Sequence, residues 1–278
     1  MVMRTRVYNK MTGREVEGYL TRGGKTMYVA VGVTEVHGAM PIDCEGIFPE
    51  AVALALAEET DGLAMVNMPY FFPGGTVISN ATVQVSVRES IDYLMMITRS
   101  LVSQGFDKIF FLSGHGPARL YIDAMCRDFF QETKVHVCHL NLMYVMQKLG
   151  SSTGFGAFEK MIYGAYKMMH QMEYLAVDPN GETIEPQPIF EDSALDILQK
   201  ALQPLGIQAS MYYELPEQHF GGTPFKSEEE RLAACEEGEK LIREMAEKMA
   251  PMMKKAQKAL DIYHAYVKQV VEKYPHTK

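Results

Sequence analysis

Four short apolar runs rich in β-branched and aromatic residues, separated by stretches long enough for helices, constrain this chain more than any other feature. Met27–Val33 (MYVAVGV), Leu63–Met68 (LAMVNM), Lys108–Leu112 (KIFFL) and Lys134–Leu140 (KVHVCHL) have strand length and are too short for buried helices. Between them Gly46–Thr60, Arg88–Gln104 and Pro117–Gln131 show helical periodicity, with Gly105 placed to cap the second. Strands alternating with crossover helices build parallel sheets, so the expected fold class is α/β with a mostly parallel central sheet. The chain has 278 residues, 47% of them hydrophobic, and no break in composition that marks a linker. That is enough to bury one sizeable core, and residues 1–278 are read as a single domain.

Beyond Leu140 the sequence predicts helix through Asn141–Leu175, then a surface excursion at DPNGETIEPQP. Charged helices are expected from about Ser227 to Lys273. Leu232, Leu241, Met245 and Met249 recur there at helical spacing among charges, the pattern of an amphipathic packing helix.

The net charge of −8 argues against a nucleic-acid partner, since phosphate binding calls for a clustered basic surface. No apolar run reaches the roughly 20 residues that span a bilayer, and the beginning of the sequence carries none of signal-peptide length. A cytoplasmic protein without a membrane partner is expected. Cys44, Cys126, Cys138 and Cys235 lack CxxC spacing and read as reduced thiols. The 21 methionines are spread along the chain and read as core filler rather than a copper site.

Ligands of open parallel sheets bind at the carboxyl ends of the strands, so acids and histidines just past each strand matter most. The first strand runs into Thr34-Glu35-Val36-His37-Gly38 and then Pro41-Ile42-Asp43-Cys44-Glu45; the third runs into Ser113-Gly114-His115-Gly116-Pro117. Glu35 and His37, two apart in an extended segment, point the same way and could address one or two cations. An E-x-H pair beside a strand is commonly just solvated or hydrogen-bonded. A Gly-His-Gly at the end of another strand favours the metal reading, because its glycines let the backbone turn and expose the imidazole. The same segment lacks the G-x-S-x-G of a nucleophile elbow and the lysine or third glycine of a phosphate cradle.

At these residues the sequence resembles the creatininase (creatinine amidohydrolase) family. Its first motif, roughly P-[VI]-G-x-x-E-Q-H-G-P-H-L-P-L-G-T-D, is similar to Val31–Glu45, and its N-G-H-G-G-N is similar to Ser113–Ala118. Phe72-Pro73-Gly74-Gly75-Thr76 resembles its F-P-G-T loop. Ser103–Ile109 resembles the segment leading into its next strand, and Ala234–Lys240 its A-x-x-E-K-G-E-R helix. The resemblance implies a three-layer α/β/α sandwich, two divalent ions (zinc or manganese) per subunit, and a homo-oligomer such as a hexamer. It implies metal ligation by Glu35, His37 and His115. The family's bridging aspartate falls on Glu45 when counted without a gap from Pro41, with Asp43 the alternative. The family's H-A-G-E-x-E-T-S is matched only by His170-Gln171-Met172-Glu173, making Glu173 a further ligand and His170 a general acid if both lie on one helical face. An ordinary helix with a partly buried histidine is the competing reading there.

His136 and His139 match no motif and read as core or edge residues, Cys44 as a bystander thiol, and His219-Phe220-Gly221-Gly222 as either a pocket wall or a turn. The resemblance implies a metal-dependent hydrolase that opens a small cyclic substrate at an amide C–N bond. Creatinine itself is disfavoured, because creatinine-specific relatives surround it with tryptophans and this chain has none. Two alternatives are C–C ring opening of a keto-inositol (3-dehydro-scyllo-inosose type) and a catalytically silent metal-binding subunit.

Overall fold

The computed structural model describes residues 3–76, 80–149, 155–185, 191–205 and 222–277. The strands β1 (Thr26–Ala30), β2 (Leu63–Met65), β3 (Lys108–Ser113) and β4 (Cys138–Asn141) form one sheet in the order β2-β1-β3-β4, every neighbouring pair parallel. The central pair runs in register from Thr26 opposite Lys108 to Ala30 opposite Leu112. Around it lie α1 (Gly13–Thr21), α2 (Cys44–Thr60), α3 (Val87–Ser103), α4 (Arg119–Thr133), α5 (Leu142–Lys148), α6 (Phe155–Met168), α7 (Ala194–Leu202) and α8 (Glu228–Lys273).

Every residue of β1 is buried, as a strand covered on both faces requires. Tyr28, Ala30, Phe110 and Leu112 face one core, closed by α2, α6 and α8 through Phe48, Ile162 and Met245. Met27, Val29, Ile109 and Phe111 face the other, closed by α3 and α4 through Leu94, Ile122 and Phe129. The expected three-layer α/β/α sandwich is therefore what the chain forms. Fully buried side chains of this size each contribute about 1.5–3 kcal/mol relative to exposure. In the first layer α6 and α8 approach closely at Gly164 and Gly238, where a Cβ on either glycine would overlap the other helix's backbone.

Several expectations need correction. Lys134 belongs to no strand: at φ 62° it closes α4, donating its N–H to the Phe130 carbonyl at 2.8 Å, and β4 begins only at Cys138. The continuous helix expected over Asn141–Leu175 divides into α5, α6 and a short 3₁₀ turn at Met172–Tyr174. Helices α1 and α7 were not anticipated. For α1 the signal was present: Thr12 and Glu15 form a capping box, each side chain bonded to the other's backbone N–H. The charged C-terminal stretch is one helix, α8, with Pro251 inside it. Among the described residues no helix is long and apolar enough to cross a membrane.

Candidate metal centre

Beyond Ala30 the chain stays extended. Val31 N–H donates to the Leu112 carbonyl at 2.9 Å and Gly32 N–H to the Met68 carbonyl at 3.0 Å, which carries Glu35 and His37 to the carboxyl rim of the sheet. There it doubles back through Gly38 (φ 57°), and Glu35 N–H donates to the Ile42 carbonyl at 2.8 Å. The return brings Glu45, in the first turn of α2, against the residues just passed. This approach requires glycine at position 32, where a Cβ would overlap the Gly46 backbone. His115 arrives independently, two residues past the end of β3.

Glu35, His37 and Glu45 each offer one ligand atom, all within 4.8 Å of one another, and all three residues are buried. His115 joins them, with Nδ1 bonded to Glu45 Oε2 and 3.6 Å from Glu35 Oε2. Glu45 Oε2 also lies 3.7 Å from His37 Nε2, so one carboxylate serves both imidazoles. His37 Nδ1 donates to the Glu35 carbonyl at 3.0 Å, which turns Nε2 toward Glu45. Thr76 Oγ1 donates to Glu35 Oε1. Thr76 is the threonine of the F-P-G-T-like loop, and its role becomes visible only through this contact. Asp43 turns elsewhere, accepting from the Tyr166 hydroxyl, so Glu45 is the acid of this loop that reaches the cluster.

The electrostatics suit a cation. Burial opposes charge on His37, yet Cys44 and Glu45 beside it outweigh that and push its pKa up to about 12. Burial likewise opposes charge on His115, and Glu45 and then Glu35 raise its pKa. Burial opposes the Glu45 carboxylate too, and His115 and then His37 hold it well below the usual range. His115 Nε2 is buried without a hydrogen-bond partner among the described residues. Two carboxylates and two imidazoles converging in a buried site form a donor set for a divalent metal ion, and the same negative field that holds protons on the imidazoles favours such an ion in their place. The Cys44 thiol is buried beside His37.

Neither His170 nor Glu173 shares a hydrogen bond or ion pair with these four residues among the described residues. His170 follows the end of α6 at φ 58°, Glu173 sits in the 3₁₀ turn, and both are exposed, so the shared helical face expected of them does not exist. Tyr166, one turn before His170, reaches Asp43 at the start of α2. His136 is half-buried against Phe130 and Tyr263, and His139 Nδ1 bonds Asp123 at 2.6 Å at the sheet edge, consistent with structural roles. His219-Phe220-Gly221 lies outside the described residues.

The family model for creatininase, described as creatinine amidohydrolase, matches residues 9–178, more than half of the chain. The chain belongs to the creatininase family. It is a metal-dependent hydrolase. Among solved structures it is similar to a protein from Bacteroides fragilis NCTC 9343 assigned as a creatinine amidohydrolase, with a TM-score of 0.65 and 20% identity, covering 91% of this chain and 96% of that one. It is also similar to a structure described as creatininase Mn, with a TM-score of 0.59 and 16% identity, covering 90% of this chain and 99% of that one. A mutant creatininase described as Zn-Zn type gives a TM-score of 0.57 and 16% identity over the same shares. At these identities the likeness carries the creatininase fold. No curated protein matches the chain.

Proposed function

We propose that this creatininase-family hydrolase opens a small cyclic substrate at an amide C–N bond, with Glu35, His37, Glu45 and His115 holding two divalent ions, zinc or manganese. The observation that carries the reading is the buried convergence of Glu35, His37 and Glu45 within 4.8 Å, completed by His115. When bound, a divalent ion supplies Lewis-acid polarisation of the amide carbonyl and makes water more acidic. The protein's own part is orientation: Thr76 fixes Glu35, the Glu35 carbonyl fixes the His37 ring, and Glu45 is held between the two imidazoles. Hydrolysis adds the oxygen of water to the carbonyl carbon, breaks the C–N bond, and needs one proton on the leaving nitrogen. His170 is the proposed donor of that proton, the general-acid role that the family resemblance implies for it. The contact of Tyr166 with Asp43 supports this, since it starts the His170 segment beside α2. Glu173, exposed in the 3₁₀ turn that follows, keeps as part of this proposal the further metal-ligand role that the family resemblance implies. The sequence expectations of a cytoplasmic homo-oligomer and of one domain over 1–278 are kept as part of this proposal.

The test is elemental analysis of purified protein followed by assays with a panel of cyclic amides and keto-inositols. Bound metal with turnover of a cyclic amide is expected. Turnover of keto-inositols alone would replace the amide reading with C–C hydrolysis, and metal without any turnover would replace it with a silent binding subunit.

A further inference from the structure

Tyr121 lies in the first turn of α4, just past the His115 segment. Its side chain is fully buried, and its ring stacks on Phe71 with centroids 5.6 Å apart and planes within 4°. Its hydroxyl has no hydrogen-bond partner among the described residues. Native cores avoid this, because a buried phenol keeps the cost of losing water unless a partner replaces it. The helix that Tyr121 opens continues directly from the His115 segment, whose His115 carbonyl accepts the Ala118 N–H at 3.3 Å, and burial together with the charges of Glu45 and Glu35 keeps the phenol protonated. Phe71, on which the ring rests, precedes the loop whose Thr76 donates to Glu35. Tyr121 thus backs the segment that fixes one acid of the cluster, and its donor is left for something that the described residues do not supply. A tyrosine used only for packing would place no demand on that hydroxyl, and phenylalanine would serve equally.

We propose that Tyr121 is a positioning residue of the metal centre, its hydroxyl donating a hydrogen bond to an oxygen of water or substrate that is held there only when Glu35, His37, Glu45 and His115 bind a divalent ion. This rests on the metal-centre reading above. It assigns the tyrosine a role in binding rather than in packing, since Tyr121→Phe keeps the ring and the Phe71 stack and removes only the donor.

The experiment titrates zinc calorimetrically into metal-free wild type, Tyr121→Phe and Tyr93→Phe, and melts each protein with and without zinc. Tyr93, half-exposed against Phe71, is the control. Zinc affinity is expected to fall about tenfold in Tyr121→Phe, the scale of losing an outer partner of a metal site, and to stay within about twofold in Tyr93→Phe. Metal-free Tyr121→Phe is expected to melt no lower than wild type, since no protein bond is lost there, while zinc raises its melting temperature less. Wild-type zinc affinity in Tyr121→Phe overturns the proposal while leaving the metal centre standing. So does a metal-free Tyr121→Phe that melts as far below wild type as the loaded variant does. A wild type that binds no zinc overturns both.

Discussion

A single carboxylate, Glu45, is shared by two imidazoles: its Oε2 bonds His115 Nδ1 and lies 3.7 Å from His37 Nε2. Position 45 therefore couples the two loops that form the site. Asp43, two residues earlier on the same loop, is committed to Tyr166.

Replacing Glu45 with alanine is expected to weaken zinc binding by about 100-fold or more, because the acid between both imidazoles is lost. Asp43→Asn is expected to leave zinc affinity within about twofold, since it touches no proposed ligand. Calorimetry on both variants checks this, and a reversed ranking would move the ligand assignment to Asp43.

Protons and metal compete in the cluster. With its pKa raised from 6.5 to about 12, His37 gives the metal-free protein stability that is complete below pH 6.5 and lost as pH rises through 12. Glu45, with a lowered pKa, gives stability that is present above 4.5 and lost as pH falls. Metal-free protein is expected to be most stable between these limits, and zinc uptake to release protons and tighten with rising pH. Zinc titrations in buffers of different ionisation enthalpy measure that release; a proton count of zero would remove His37 from the site.

Glu50 is buried in α2, which raises its pKa to about 7 even though it accepts the Asn67 N–H at 2.6 Å. The folded state holds this proton more tightly than the unfolded one, so the stability it contributes is complete below pH 4.5 and lost as pH rises to 7. Glu50→Gln keeps the acceptor and is expected to stabilise the protein by about 2–4 kcal/mol at pH 8, with little effect at pH 4.5. Urea unfolding at the two pH values is the measurement, and equal effects at both would contradict it.

Gly32→Ala is expected to destabilise the fold by about 3 kcal/mol, because the new methyl meets the Gly46 backbone rather than a movable side chain. The same displacement pushes the start of α2 away from Glu35, so zinc affinity is expected to fall with stability. Urea unfolding together with calorimetry tests the pairing.

His170→Ala is expected to lower kcat by about 100-fold with bound zinc unchanged, the usual scale for removing a general acid. Elemental analysis and steady-state kinetics on one preparation separate the two effects. Full activity in this variant would dismiss His170 as proton donor.

The β1 and β3 runs, the α2–α4 stretches and Gly105 as a helix cap were legible because period and length are local properties; Gly105 indeed stands at φ 105° just past α3. Glu35, His37 and His115 stood out as acids and imidazoles at strand ends, and Glu45 was reachable only through the family resemblance, whose motif counted from Pro41 falls on it with Asp43 as the alternative. Thr76 was visible only as a motif letter. Tyr121 was invisible, since an aromatic on an amphipathic helix looks the same whether or not its hydroxyl meets a partner. The shared helical face of His170 and Glu173 was not to be read from periodicity, which does not reveal where the backbone turns left-handed.

The sequence by itself determined the alternation of strand and helix, and hence the parallel sheet whose carboxyl rim carries the chemistry. Only the tertiary structure decided that Glu45 sits between His37 and His115 and that Asp43 goes to Tyr166. Those relations join segments brought together by β1 pairing with β3 and by the Gly32–Gly46 approach. Distances of a few ångströms across such junctions depend on packing, which no local pattern in a chain encodes.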